Sequence, residues 1–207
     1  MLKYIQMIGV LVGITLVSGL ALGGLNHITK DKIARNILEN KKVPAVLGIV
    51  QRYAGDLDEA AKKEIKDSLL SNYKEVDIGE EDPLLIFVGN KDGEPHTVAF
   101  ERQGEGGYGG NIGVMAGFNI ETGDIDGIGI TTHSETPGVG TKVLEDSFLL
   151  QFAGMSKDST FSLKKAGGDI DGASGATRSS TAVADGVNKA KELFDRHRDK
   201  ILEAAKQ

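Results

Sequence analysis

The chain contains no cysteine. Disulfide scaffolds, cysteine-ligated zinc and iron–sulfur clusters held by this chain alone are thereby excluded. The composition is indifferent to redox compartment. Histidine is nearly as scarce, with 4 residues (His27, His96, His133, His197) and no pair at the spacing of helical metal ligands. A structural or catalytic metal is not expected. Basic charge is also in deficit: 24 Lys and Arg against 30 Asp and Glu leave a net charge of −6. That argues against a nucleic-acid-binding face. Proline is rare, at 4, whereas glycine reaches 28 without collagen's strict period. Such usage is roughly twice the ordinary level, and points to tight turns or to backbone brought close to something flat or charged.

The 207 residues suffice for one ordinary domain with a membrane segment and connecting structure. Tyr4 to Leu25 is a 22-residue apolar run interrupted only by Gln6, Thr15 and Ser18. As a helix it spans about 33 Å, enough for a hydrocarbon core of about 30 Å. A secretory signal peptide competes, with small residues at Ala21 and Gly23 for cleavage. Its apolar core would normally run only about 7–15 residues, and a helical pattern continues past Asn26, so a retained anchor is expected. Gly9, Gly13, Gly19, Gly23 and Gly24 suit close packing against other membrane helices. Lys30, Lys32, Arg35, Lys41 and Lys42 follow the run and only Lys3 precedes it. The positive-inside rule alone would put the soluble part in the cytoplasm.

Past Pro44, Leu57, Ala61, Ile65 and Leu69 recur every four residues and predict an amphipathic helix. Strand-like runs follow at Leu84–Val88, Thr97–Phe100, Ile112–Ile120 and Ile125–Thr132, the last two joined by the turn Glu121-Thr122-Gly123-Asp124. Thr141–Ala153 reads as a helix, and a glycine-rich piece without evident order leads to Ser174. Val183, Val187, Ala190, Phe194 and Ile201 mark a long closing helix. Without regular βαβ alternation the class is α+β. The expected organisation is an anchor over 1–25, a helical connecting region over 26–83 and a mixed α+β domain over 84–207.

Three stretches carry chemistry. Asp171-Gly172-Ala173-Ser174-Gly175-Ala176-Thr177-Arg178-Ser179-Ser180 joins a glycine turn to the start of the closing helix. Free N–H groups, the helix dipole and Arg178 favour phosphate there. An ordinary N-cap by Ser174 or Thr177 accounts for the same residues. His133-Ser134-Glu135-Thr136-Pro137-Gly138-Val139-Gly140 lies between a strand and a helix. Its glycines permit close approach to a planar ligand, and His133 with Glu135 could form an acid–base pair; a plain polar turn is the alternative. Gly104-Glu105-Gly106-Gly107-Tyr108-Gly109-Gly110 lacks the Gly-Lys-Ser/Thr of a nucleotide loop, and by itself reads as a flexible loop with one aromatic.

Taken in this order, Gly107-Tyr108-Gly109-Gly110, His133-x-Glu135-Thr136-Pro137-Gly138-x-Gly140 and Asp171 with Ser174-Gly175-Ala176-Thr177-Arg178-Ser179-Ser180 resemble the FMN-binding domain of the G subunit of the Rnf electron-transport complex. They also resemble its relative, the C subunit of the sodium-pumping NADH:quinone reductase, which tends to be longer. The resemblance spans roughly Ile86 to Val187. It implies FMN joined through its phosphate to Thr177 by a separate flavin transferase. The neighbours Ser174, Gly175, Ala176, Arg178, Ser179 and Ser180 would surround the phosphate. Tyr108, Gly109, His133, Glu135, Thr136, Pro137 and Gly138 would lie against the flavin, with Glu135 and Thr136 hydrogen-bonding flavin or loop. It further implies an electron carrier with no catalytic residue of its own, serving other membrane and redox subunits of an ion-translocating ferredoxin:NAD+ oxidoreductase. The soluble domain would face away from the cytoplasm, against the lysine count. Readings that compete are a carrier for another reductase, a non-redox anchored module binding a phosphorylated ligand, and a structural assembly protein.

Overall fold

The computed structural model describes residues 2–206. These fall into two compact units divided between Leu38 and Glu39. The first is helix α1, Leu2–Ile37. Among the described residues one helical run is long and apolar enough to cross a membrane, and the apolar side chains from Tyr4 to Leu25 are exposed. The hydroxyl of Thr15 donates to Leu11 O at 3.1 Å, so this polar group is satisfied within the helix and needs no water.

The second unit begins within a π-helical turn, Leu38–Lys42, and continues in helix α2, Val43–Ala54, with Pro44 in its first turn. Helix α3, Glu59–Ser71, follows, capped by the Asp58 carboxylate accepting from Ala61 N at 2.7 Å. Five antiparallel strands then form a sheet in sequence order: β1 Lys74–Val76, β2 Leu84–Lys91, β3 Glu94–Gly104, β4 Ile112–Asn119 and β5 Ile125–Thr132. β2 and β3 join through Asp92-Gly93, both at positive φ (54° and 87°), a two-residue hairpin of the kind a twisted ribbon favours. At the β4–β5 turn the Asn119 side chain accepts from Glu121 N and Thr122 N. The α+β class and the four later strands agree with the sequence pattern. Helix α2, whose Val43, Val46, Ile49 and Val50 share one buried face, and the three-residue strand β1 are not among the expected elements.

Thr141–Ala153, expected as one helix, is three short pieces instead: 3₁₀ turns Gly140–Leu144 and Leu150–Phe152 flanking α4, Asp146–Leu149. Glu145 is extended (φ −72°, ψ 144°), and the break lets Val143, Phe148 and Phe152 all reach the core. The glycine-rich piece after it is also ordered, with Phe161, Leu163 and Ile170 buried.

The closing helix α5, Thr177–Ala205, has one non-helical residue at His197. Its five expected apolar positions, Val183, Val187, Ala190, Phe194 and Ile201, are all buried. Phe194 stacks on Phe118 at 4.6 Å between centroids, and Phe118 on Phe100 at 5.4 Å. On the other face of the sheet α2 lies in a trough of glycines; a methyl on Gly129 would come within 2.8 Å of the Ala45 methyl. The residues with burial-shifted protonation lie on this α2 side. Burial pushes the Tyr53 hydroxyl up to about 12 and raises the Asp126 carboxyl.

α5 crosses β3 at backbone contact. A Cβ on Gly104 would fall 1.8 Å from Ala182 O, and one on Gly186 2.7 Å from a Val114 methyl. This crossing sets where the helix begins: beyond the end of β3, over the loops that leave the same sheet end. Gly104→Ala is expected to cost about 1–3 kcal/mol by overpacking. It should read as a lower denaturant midpoint for the full chain in detergent, with the slope unchanged.

Candidate functional site

Antiparallel pairing brings the site together. Gly104 pairs with Ile112, and Gly113 with Thr132. The loop after β3 (105–111) and the loop after β5 (133–139) therefore leave one end of the sheet, where α5 begins. Three stretches far apart in sequence meet there.

Thr177 is the first residue of α5 and is exposed. The N-cap is Ala176 (φ −120°, ψ 37°), whose methyl offers no acceptor, so the helix start has no side-chain cap. The expected alternative of a cap by Ser174 or Thr177 is not what forms. N–H groups of the first turn stay available at the positive end of the helix dipole. Gly175 turns the chain into the helix at φ +79°, a conformation that favours glycine. Ser180 lies beneath this turn. Its buried hydroxyl accepts from Ala173 N at 3.0 Å and donates to Ala176 O at 2.9 Å.

Glu135, only 5% exposed, ties the three stretches together. Its Oε1 accepts from Gly109 N at 3.0 Å and its Oε2 accepts from the Ser179 hydroxyl at 2.6 Å. A Cβ on Gly140 would sit 2.2 Å from Oε2, and one on Gly107 2.7 Å from Oε1. These glycines make room for a carboxyl group of the protein itself. The acid–base pair considered for His133 and Glu135 is not formed. His133 is exposed, and its Nδ1 accepts from the Glu135 main-chain N at 3.3 Å. Thr136 O accepts from Val139, Gly140 and Thr141 N, and Gly138 N donates to Thr141 Oγ1 at 2.9 Å, closing the Pro137-Gly138 turn.

Between these loops and the helix start opens a cavity of about 500 Å³, within the 300–1,000 Å³ of small-molecule sites. Of the expected residues, Tyr108, Thr136, Gly175, Ala176, Thr177, Arg178 and Ser179 form its wall, joined by Val139 and Gly140. Ser174, Ser180, Gly109, His133, Glu135, Pro137 and Gly138 stand behind or beside that wall as supports of the turns. Arg178 donates from Nε to Gly106 O at 3.4 Å, and its guanidinium carbon lies 6.0 Å from the centroid of the 72%-exposed Tyr108 ring. The sequence carries no signal for Lys142, whose Nζ donates to Ser174 O at 2.8 Å. No spacing relates a lysine in a 3₁₀ turn to a carbonyl 32 residues later.

Glu135→Ala would leave the Gly109 N–H and the Ser179 hydroxyl without their acceptor. A loss of about 1–3 kcal/mol is expected, with faster amide exchange at Gly109. Glu135→Gln keeps one carbonyl acceptor and should lose less in the same unfolding measurement.

A family model described as the FMN-binding domain matches residues 107–192. The chain is similar to proteins named as the G subunit of an ion-translocating oxidoreductase complex. That of Shewanella piezotolerans is 30% identical, covering 71% of this chain and 72% of that protein. Those of Shewanella oneidensis and Cereibacter sphaeroides are each 31% identical, covering 86% and 90% of this chain and 83% and 87% of theirs. Among solved structures, the C subunit of the Na(+)-translocating NADH-quinone reductase from Parabacteroides distasonis has a TM-score of 0.49 at 20% identity, covering 74% of this chain and 88% of that one. At the identities and coverages of its sequence relatives, this chain belongs to the family of G subunits of the ion-translocating, Rnf-type oxidoreductase complex.

Proposed function

We propose that this chain is a membrane-anchored electron carrier of an Rnf-type ferredoxin:NAD+ oxidoreductase complex, holding FMN through a phosphoester on Thr177. The observation that carries this reading is the exposed Thr177 hydroxyl at an uncapped helix start, beside Arg178 and at the wall of the 500 Å³ cavity. The residues present fit such a group. A phosphodiester keeps one negative charge, and here it would meet main-chain N–H donors, the positive end of α5 and a guanidinium. Tyr108, Val139 and Ala176 supply apolar wall for a planar ring.

When bound, FMN supplies the redox chemistry, and the protein supplies attachment, orientation and electrostatics. Arg178 offsets the phosphate charge. Glu135 keeps the two glycine loops at a set distance from the helix start. The Tyr108 ring and the Val139 side chain, 72% and 50% exposed, leave the cavity accessible to neighbouring proteins of the complex. A tethered cofactor cannot diffuse away, which suits a domain facing a dilute compartment. On this reading that domain lies outside the cytoplasm, and a separate flavin transferase completes it.

Protein matured in its native source is expected to give an ultraviolet-fluorescent band on an unstained denaturing gel. Thr177→Val should abolish the band. Ser179→Ala should keep it, since that hydroxyl is turned inward to Glu135. A dark wild-type band from cells shown to contain the transferase would overturn the attachment. In cells permeable only up to the cytoplasmic membrane, added protease should digest the domain. Protection until lysis would reverse the orientation.

A further inference from the structure

The turn that delivers Thr177 is gripped from outside its own motif. The Gln151 amide makes two bonds to the main chain of Asp171: Nε2 donates to Asp171 O at 3.1 Å, and Oε1 accepts from Asp171 N at 2.7 Å. Three residues on, Lys142 donates to Ser174 O at 2.8 Å. Its Nζ lies 3.9 Å from where a Cβ on Gly175 would stand. These side chains share a second cavity of about 360 Å³, behind the turn, with Ser174 and the acidic residues Glu145 and Asp171. An ammonium group has three N–H donors. One is engaged at Ser174 O; the other two have no protein acceptor among the described residues. A cation with spare donors thus sits against the segment that leads to the uncapped helix start.

We propose that Lys142 is a positioning residue for flavin attachment: it locks the Ser174–Gly175 turn and adds a second positive charge, with Arg178, where phosphate is transferred to Thr177. The inference rests on the reading of Thr177 as the attachment residue. In that step the Thr177 Oγ–P bond forms as the pyrophosphate bond of a flavin dinucleotide donor breaks on a separate transferase. The departing nucleoside monophosphate takes the bonding electron pair, and the hydroxyl proton passes to the transferase or to water. No oxidation or reduction is involved. Negative charge grows on the phosphoryl oxygens and the leaving group, so a fixed cation behind the turn that carries the acceptor favours the transition state through its field. The bond to Ser174 O has a separate effect. It limits where the hydroxyl three residues later can lie, and a displacement near 1 Å can cost about a hundredfold in rate.

The test uses full-length, flavin-free protein in detergent, with limiting purified transferase and flavin dinucleotide. The initial rate is read as in-gel fluorescence per polypeptide. Lys142→Met, which keeps the apolar stem, is expected to slow attachment about tenfold or more, toward the hundredfold typical of losing one transition-state donor. Lys142→Arg, which keeps the charge and a donor, should stay within about threefold of wild type. Added salt should slow wild type more than Lys142→Met, because screening acts on the charge. All three flavin-free proteins should melt alike. Attachment to Lys142→Met at the wild-type rate would overturn the inference. So would equal slowing in Met and Arg with lowered melting, which marks a purely structural contact. If wild type itself takes up no flavin, or peptide mass places it elsewhere than Thr177, the reading of Thr177 fails and this inference with it.

Discussion

Glu135 holds segments together that lie 26 and 44 residues away along the chain, Gly109 and Ser179. A buried carboxyl group is costly unless its oxygens are satisfied; here one accepts a main-chain N–H and the other a serine hydroxyl. Once that condition is met, the distances among the loop after β3, the loop after β5 and the first turn of α5 are set together. The cavity is what remains between them. Its walls are mostly backbone and small side chains, so its shape depends on where these turns are held. Glycines at 107, 109 and 140 belong to this arrangement because any side chain there would occupy the space of the carboxyl group or of the turn carrying it.

The same sheet end gathers positive character without a basic surface. Three sources converge: an uncapped helix start, Arg178 across from Tyr108, and Lys142 behind the turn. The protein is acidic as a whole, so this is local electrostatics made from a helix dipole and two side chains. It explains how an anionic group can be favoured on a chain whose net charge would repel it. The groups whose protonation burial perturbs, Arg52 and Tyr53 of α2 and Asp126 of β5, lie on the α2 side of the sheet. That separation suits a site that holds and presents a cofactor.

Two helix packings with different purposes use the glycine excess. Against α5, Gly104 and Gly186 allow backbones to touch and so determine how far past the strand ends the helix begins. Against α2, Gly117, Gly127 and Gly129 leave a trough that Ala45, Ile49 and Arg52 fill. Side chains at those points would lift either helix off the sheet. At the site, Gly175 turns the chain into α5 at positive φ, and Gly138 closes its own turn the same way.

Local information was enough for several features. The apolar run at the amino-terminal end, the β4–β5 turn and the buried stripe of α5 are periodicities or turn chemistries confined to a few neighbouring residues, and the structure carries them as read. The stretch Asp171–Ser180 is contiguous, so its place at a helix start was legible too. Pairwise distances across the chain were not. That Glu135 would turn inward to Ser179, that Thr141–Ala153 would break into three pieces to place three side chains in the core, and that Lys142 would reach Ser174 O all depend on which strand ends coincide. That follows from antiparallel register and from the depth of one helix crossing, quantities that belong to the packed molecule because no single segment contains both partners.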